Sequence, residues 1–94
     1  MVSLALAKRF QRSLQRRMPK EWKITTKFER HGDHHQLIHY KITAHEVVFT
    51  IGAGGACQPP AGWVVQHMSG SFMSKTTITA PDGTRVTIDD GCLA

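Results

Sequence analysis

The sequence predicts an α+β fold in which one N-terminal amphipathic helix packs on an antiparallel sheet of five or six strands. Three observations lead to it. Apolar residues recur every three or four positions up to residue 18, they alternate with polar residues from position 22 onward, and glycine or proline turns separate the alternating segments. The 94 residues are 40% apolar and 20% charged, which suits one small globular domain over residues 1–94.

The helix is predicted over residues 3–18. Its apolar stripe consists of Leu4, Ala7, Phe10, Leu14 and Met18. Ser3 is a suitable N-cap because its hydroxyl can accept a hydrogen bond from an amide of the first turn, and Pro19 disfavours helical geometry at Met18. The basic residues then fall largely on the opposite face, which is exposed to water.

Six strands are predicted after the helix, over residues 22–30, 36–43, 46–51, 63–68, 72–79 and 84–88. The most specific local signal is Pro81-Asp82-Gly83 between two threonine-rich segments, which is typical of a hairpin turn. Residues 52–62 are rich in glycine and proline and predict a surface loop. The helix stripe and the inner face of the sheet must cover each other, and the sheet can be open and curved or closed into a small barrel.

All of the excess positive charge lies at the N-terminus. Residues 1–20 contain six basic and no acidic residues, whereas residues 21–94 contain six basic and seven acidic ones, so that 6 − 0 + 6 − 7 gives the net charge of +5. The N-terminal six are Lys8, Arg9, Arg12, Arg16, Arg17 and Lys20. Like charges gathered on one element predict an anionic partner, either nucleic acid or an acidic protein surface.

Nucleic acid is the first hypothesis for that partner. Arg9, Arg12 and Arg16 are spaced by three and four residues, so they should share one exposed helical face where guanidinium groups can neutralise phosphates. No helix-turn-helix, RNP or zinc-finger pattern accompanies them in the sequence. A protein-binding regulator or inhibitor of the phage or bacterial accessory type is the alternative, and a solvated face that keeps the chain soluble would explain the same residues without a partner.

Histidines form the second unusual group in the sequence. Five of the six, His31, His34, His35, His39 and His45, lie within fifteen residues. If residues 35–41 form a regular strand, His35, His39 and Lys41 point to one face and His34 to the other. Two imidazoles and an ammonium group are the side chains that acid–base cleavage of RNA uses. Zinc generally takes four ligands, however, and no cysteine lies nearby, so the sequence assigns no metal site, no catalytic residue and no cofactor, and it favours a non-enzymatic module.

The segment Gly32-Asp33-His34-His35-Gln36 follows a predicted helix and a predicted strand. Over these five residues it resembles the Gly-Ser-His-His segment of the small HicA-type RNA-cleaving toxins. The resemblance implies RNA cleavage as a third candidate function. Asp33 stands where that family has serine, and no C-terminal helix is predicted here, so we do not assign the chain to the family.

Gly52-Ala53-Gly54-Gly55 follows a strand, as phosphate-binding loops do. Pro59-Pro60 disfavours the helix that such a loop needs, and no Lys-Ser or Lys-Thr pair follows, so no nucleotide site is predicted. The loop is instead a connection that can present Cys57 or Gln58 to a partner.

Cysteine usage and hydropathy bear on the cellular compartment. Cys57 and Cys92 form no CxxC motif and could form at most a single disulfide. No segment approaches the roughly 20 apolar residues of a membrane span, and the N-terminus lacks the pattern of a secretory signal. We therefore expect a cytoplasmic protein.

Overall fold

The fold is α+β, as the sequence predicts. A computed structural model describes residues 3–70 and 73–89. Its elements are α1 (Leu4–Arg17), β1 (Lys23–His31), β2 (His34–Ala44), β3 (Val47–Gly52), β4 (Val64–Gly70), β5 (Met73–Thr79) and β6 (Arg85–Asp89). No helix within the described residues is long and apolar enough to cross a bilayer.

The boundaries of α1 follow from its terminal residues. The Ser3 hydroxyl accepts a hydrogen bond from the Leu6 amide at 3.2 Å, which satisfies one of the amides that have no partner within the helix. Met18 already has an extended backbone, because the following Pro19 disfavours helical geometry there. Ala7, Phe10 and Leu14 are buried, so the apolar stripe faces the core.

The strands form two three-stranded antiparallel sheets, in the orders β1-β2-β3 and β4-β5-β6. This corrects the single sheet expected from the sequence, and neither sheet closes into a barrel. The separation occurs in the glycine- and proline-rich connection after β3. The Ala53 amide at its start still donates to the Ile38 carbonyl of β2 at 3.1 Å, but the backbone then bonds within the connection. The Gly52 amide donates to the Ala56 carbonyl at 2.8 Å, and the Trp63 amide donates to the Pro60 carbonyl at 3.0 Å.

One core is built from α1 and both sheets. Its buried members are Ala7, Phe10, Leu14, Met18, Trp22, Ile24, Tyr40, Ile42, Ala44, Phe49, Ile51, Trp63, Ile78, Ala80, Val86 and Ile88. Trp63, just before β4, packs its ring 5.2 Å from that of Trp22 and 5.1 Å from that of Phe49. The start of the second sheet is thereby anchored to the first through aromatic contacts.

Two glutamine side chains of α1 bond to the backbone of β1, on the side away from β2. Gln15 accepts from the Ile24 amide at 3.0 Å and donates to the Trp22 carbonyl at 3.2 Å. Gln11 donates to the Ile24 carbonyl at 2.7 Å and accepts from the Thr26 amide at 2.6 Å. The helix therefore occupies the position of a neighbouring strand and covers this part of the sheet edge.

Candidate functional site

The basic residues predicted as a binding surface all lie on or just after α1 and are exposed. We call Lys8, Arg9, Arg12, Arg16, Arg17 and Lys20 the basic helix surface. Arg9, Arg12 and Arg16 lie on the side of α1 opposite to its buried stripe, as three- and four-residue spacing requires. At 1.5 Å per residue, Arg9 and Arg16 are about 10 Å apart along the axis.

This surface has no acidic partner among the residues that the structure describes. Between described residues, His31 contacts Glu29 at 3.4 Å and His45 contacts Asp82 at 3.5 Å, and neither pair includes a residue of the basic helix surface. No acidic residue stands in the first turn of α1 either. Within the described part of the chain, no carboxylate neutralises the positive charge of this surface.

A groove of about 650 Å³ lies between the N-terminal half of α1 and β1. Its lining includes Leu4, Ala7, Lys8, Arg12, Phe28 and His35. The floor is apolar, whereas two members of the basic helix surface stand at its rim. The sequence does not predict this groove, because its residues come from three elements whose relative position no local pattern encodes.

His35 and His39 do not lie on the same face of the sheet, as they would in a regular strand. In the pairing of β1 with β2, Lys27 lies opposite His39 and Phe28 lies opposite Leu37, so Ile38 is an extra residue, a β-bulge. The bulge reverses the alternation of β2. His35 therefore lines the groove beside α1, while His39 pairs with Lys27 on the other face of the sheet. This corrects the expectation that His35, His39 and Lys41 share one face.

The remaining histidines lie in different surroundings. His31 and His34 flank the hairpin turn, and His67 makes a 3.0 Å hydrogen bond through Nδ1 to the hydroxyl of the buried Thr76. Within residues 3–70 and 73–89, no three His, Cys, Asp or Glu side chains are grouped so as to hold a metal ion. The helix that follows the hairpin in HicA-type toxins has no counterpart in this part of the chain.

The connection after β3 lies against β4. Gly55 has a φ of +85°, and a Cβ at this position would come within 2.3 Å of the His67 Cβ, so both the conformation and the close approach require glycine. Cys57 is half-buried, and its burial raises the pKa of its thiol. Its pairing with Cys92 falls outside the described residues.

Comparisons with known proteins return no match: no family model, no curated protein and no solved structure is similar to this chain.

Proposed function

We propose that this protein binds nucleic acid through the basic helix surface, by contacts to the phosphate backbone. The observation that carries the proposal is that these cations are exposed and without an acidic partner among the described residues. Displacement of counterions from a nucleic acid by such side chains favours association irrespective of base sequence.

The glutamines of α1 support a sequence-independent contact. Glutamine can read adenine through two hydrogen bonds, but Gln11 and Gln15 already direct their amide groups to the edge of β1. The side chains that remain on the exposed face are chiefly Arg9, Arg12 and Arg16. The side chains of α1 that are available to a nucleic acid are therefore arginines and lysines, which contact phosphates. Such contacts position a protein on a nucleic acid without specifying its sequence.

The test is the salt dependence of binding to duplex DNA and duplex RNA oligonucleotides. With about four phosphate contacts, the logarithm of the association constant should fall against the logarithm of salt concentration with a slope of roughly −3 to −4. Replacing Arg9, Arg12 and Arg16 together with glutamine should preserve the helix, since glutamine has similar helical propensity. The slope should become flatter, with a magnitude of about 1 or less.

The matched control replaces Lys23, Lys27 and Arg85, which lie on strands, with glutamine. It removes the same charge and should retain most of the wild-type slope. An unchanged slope in the helix variant would reject the phosphate contact. A wild-type protein that binds no nucleic acid at low salt but retains a protein partner would instead support the protein-binding alternative.

A further inference from the structure

The edge of β1 carries more backbone groups than α1 covers. In an antiparallel strand, alternate residues direct both the amide and the carbonyl away from the paired strand. The register with β2 places Ile24, Thr26, Phe28 and Arg30 in that outward row. Gln11 and Gln15 bond to Ile24, to the Thr26 amide and to the carbonyl of Trp22 just before the strand, whereas no described group bonds to the outward amide and carbonyl of Phe28 or Arg30.

The hydrogen bonds from α1 to the edge of β1 end at Thr26 because of the residues that precede Gln11 in the helix. One turn earlier stand Ala7, whose methyl group is too short to reach the strand, and Lys8, whose ammonium group can donate but not accept. On α1, neither residue one turn before Gln11 can therefore bond to both an amide and a carbonyl of β1. The groove described above opens at this point.

The groove and the open edge are next to each other and differ in chemistry. Leu4, which is 50% exposed, and Phe28 offer apolar surface in the groove. Lys8 and Arg12 stand at its rim, and Arg30 follows along the strand. Among the residues that the structure describes, no acidic side chain lines the groove. A ligand that matches these features has backbone groups in the extended conformation, apolar side chains and carboxylates.

We propose that an extended acidic peptide, with apolar residues alternating with carboxylates, adds to β1 as a further strand at Phe28 and Arg30. Its backbone would pair with the open amides and carbonyls, which is the mode of recognition called β-strand addition. Its apolar side chains would lie against Leu4 and Phe28, and its carboxylates would meet Lys8 and Arg12. This site goes beyond the proposed nucleic-acid contact because it adds the strand edge and the apolar floor. It shares Lys8 and Arg12 with the basic helix surface, whereas Arg9 and Arg16 are not among the residues that line the groove.

Charge favours this occupant over a second copy of the chain. Two copies paired through β1 would bring Lys8, Arg12 and Arg30 of one molecule close to the same cations of the other. A nucleic acid could use the cations but would leave the strand edge and the apolar floor unmatched.

The probe is a short, end-blocked, fluorescent peptide of alternating glutamate and valine, with binding followed by anisotropy. Hydrogen exchange measured by NMR should show slower exchange at the amides of Phe28 and Arg30 when the peptide is bound. A peptide of the same sequence, N-methylated at the residues that would face β1, should bind at least about tenfold more weakly, since it cannot donate to the strand.

One pair of variants separates the backbone contact from the charge. Arg30→Pro removes the outward amide without affecting the pairing with β2, because proline is tolerated where the N–H faces away from the sheet. Arg30→Gln removes the same guanidinium group but keeps the amide. Peptide binding should be at least about fivefold weaker for Arg30→Pro than for Arg30→Gln, and equal affinities would overturn the strand pairing.

A second pair separates the two members of the basic helix surface at the groove rim from Arg9 and Arg16, which do not line the groove. Replacing Lys8 and Arg12 with alanine should weaken peptide binding about tenfold, whereas replacing Arg9 and Arg16 with alanine removes the same charge from the same helix and should change it less than about twofold. The Arg9 and Arg16 pair should weaken nucleic-acid binding in the same preparation. The proposal would be overturned if both variants lost the same peptide affinity. It would also be overturned if peptide were lost only because the protein associates with itself, or if the wild-type protein bound no peptide.

Discussion

The side-chain oxygen of Gln11 accepts two hydrogen bonds from Thr26. Gln11 Oε1 accepts from the Thr26 backbone amide at 2.6 Å and from the Thr26 hydroxyl at 2.7 Å, while its Nε2 donates to the Ile24 carbonyl of the same strand at 2.7 Å. The side chain is half-buried, so water replaces these bonds poorly. The glutamine thus connects the helix to the sheet through polar contacts, in addition to the apolar stripe.

Gln11→Ala should therefore lower the free energy of unfolding by about 1.5–3 kcal/mol, because it leaves two partly buried backbone groups and a hydroxyl without their partner. Gln15→Ala removes only two bonds at a more exposed position and should cost about 1 kcal/mol. Urea unfolding of both variants gives the comparison. A larger loss in the free energy of unfolding for Gln15→Ala than for Gln11→Ala would show that Gln11 is not the main polar contact between helix and strand.

The apolar side of the same contact is tested at Phe10. Its ring is 7% exposed and lies 6.3 Å from that of Tyr40, a fully buried residue of β2. Phe10→Ala should lower the free energy of unfolding by about 3–5 kcal/mol, through lost burial and the cavity left behind. A loss below about 0.5 kcal/mol in chemical denaturation, the size of an ordinary surface change, would show that the helix is not docked here.

Much of the fold is readable from local patterns. The three- and four-residue spacing and the Ser3 cap define α1, and Pro81-Asp82-Gly83 gives a hairpin in which Gly83 has a φ of +91°. These features depend on residues close in sequence. The same local information gives the period of the strands, and it gives the buried face where no bulge interrupts the alternation.

Three features of the candidate site could not be predicted in this way. Gln11 and Gln15 resemble ordinary solvent-facing residues until β1 is placed beside them. The bulge at Ile38 depends on how β2 pairs with its neighbour, and it alone moves His35 to the groove. The division into two sheets depends on which strands find partners, which periodicity does not specify.

The separation of His35 from His39 leads to a negative prediction about the histidine hairpin. The two imidazoles lie on opposite faces of β2, so they cannot act on one substrate or ligate one metal ion. We expect no stoichiometric zinc after dialysis and no RNA cleavage that depends on either residue. Elemental analysis and an RNA degradation assay check this. Retained zinc, or cleavage abolished by His35→Ala or His39→Ala, would contradict it.

Asp82 should make folding stability depend on pH at the acidic end. The Thr84 amide donates to its carboxylate at 2.9 Å, and this bond lowers the pKa of Asp82 below its usual 3.8. A depressed pKa in the folded state stabilises the fold above the unfolded pKa, and this stabilisation is lost as pH falls through the folded value. Wild type should thus melt above Asp82→Asn at neutral pH, and the gap in Tm should narrow below about pH 4. A gap that is constant down to about pH 2.5 would exclude this linkage.

The turn between β2 and β3 offers a stabilising change. His45 and Glu46 both have positive φ, +50° and +67°, and neither is a residue that favours the left-handed region as glycine does. His45 also packs against Trp63 and contacts Asp82, so Glu46, which is exposed, is the better position to alter. Glu46→Gly should raise the free energy of unfolding by about 0.5–1 kcal/mol, since relief of the strain exceeds the added entropy of the unfolded chain.

Glu46→Ala is the matched control for that change. It removes the same carboxylate but keeps the Cβ that makes positive φ unfavourable, so its stability should remain within about 0.5 kcal/mol of wild type. Thermal unfolding of the three proteins at one pH measures the difference. The glycine variant should have the highest Tm of the three, because only glycine takes up this two-residue turn without steric cost. If Glu46→Gly and Glu46→Ala had the same Tm, the backbone at Glu46 would not be strained. The left-handed conformation at this position would then be excluded.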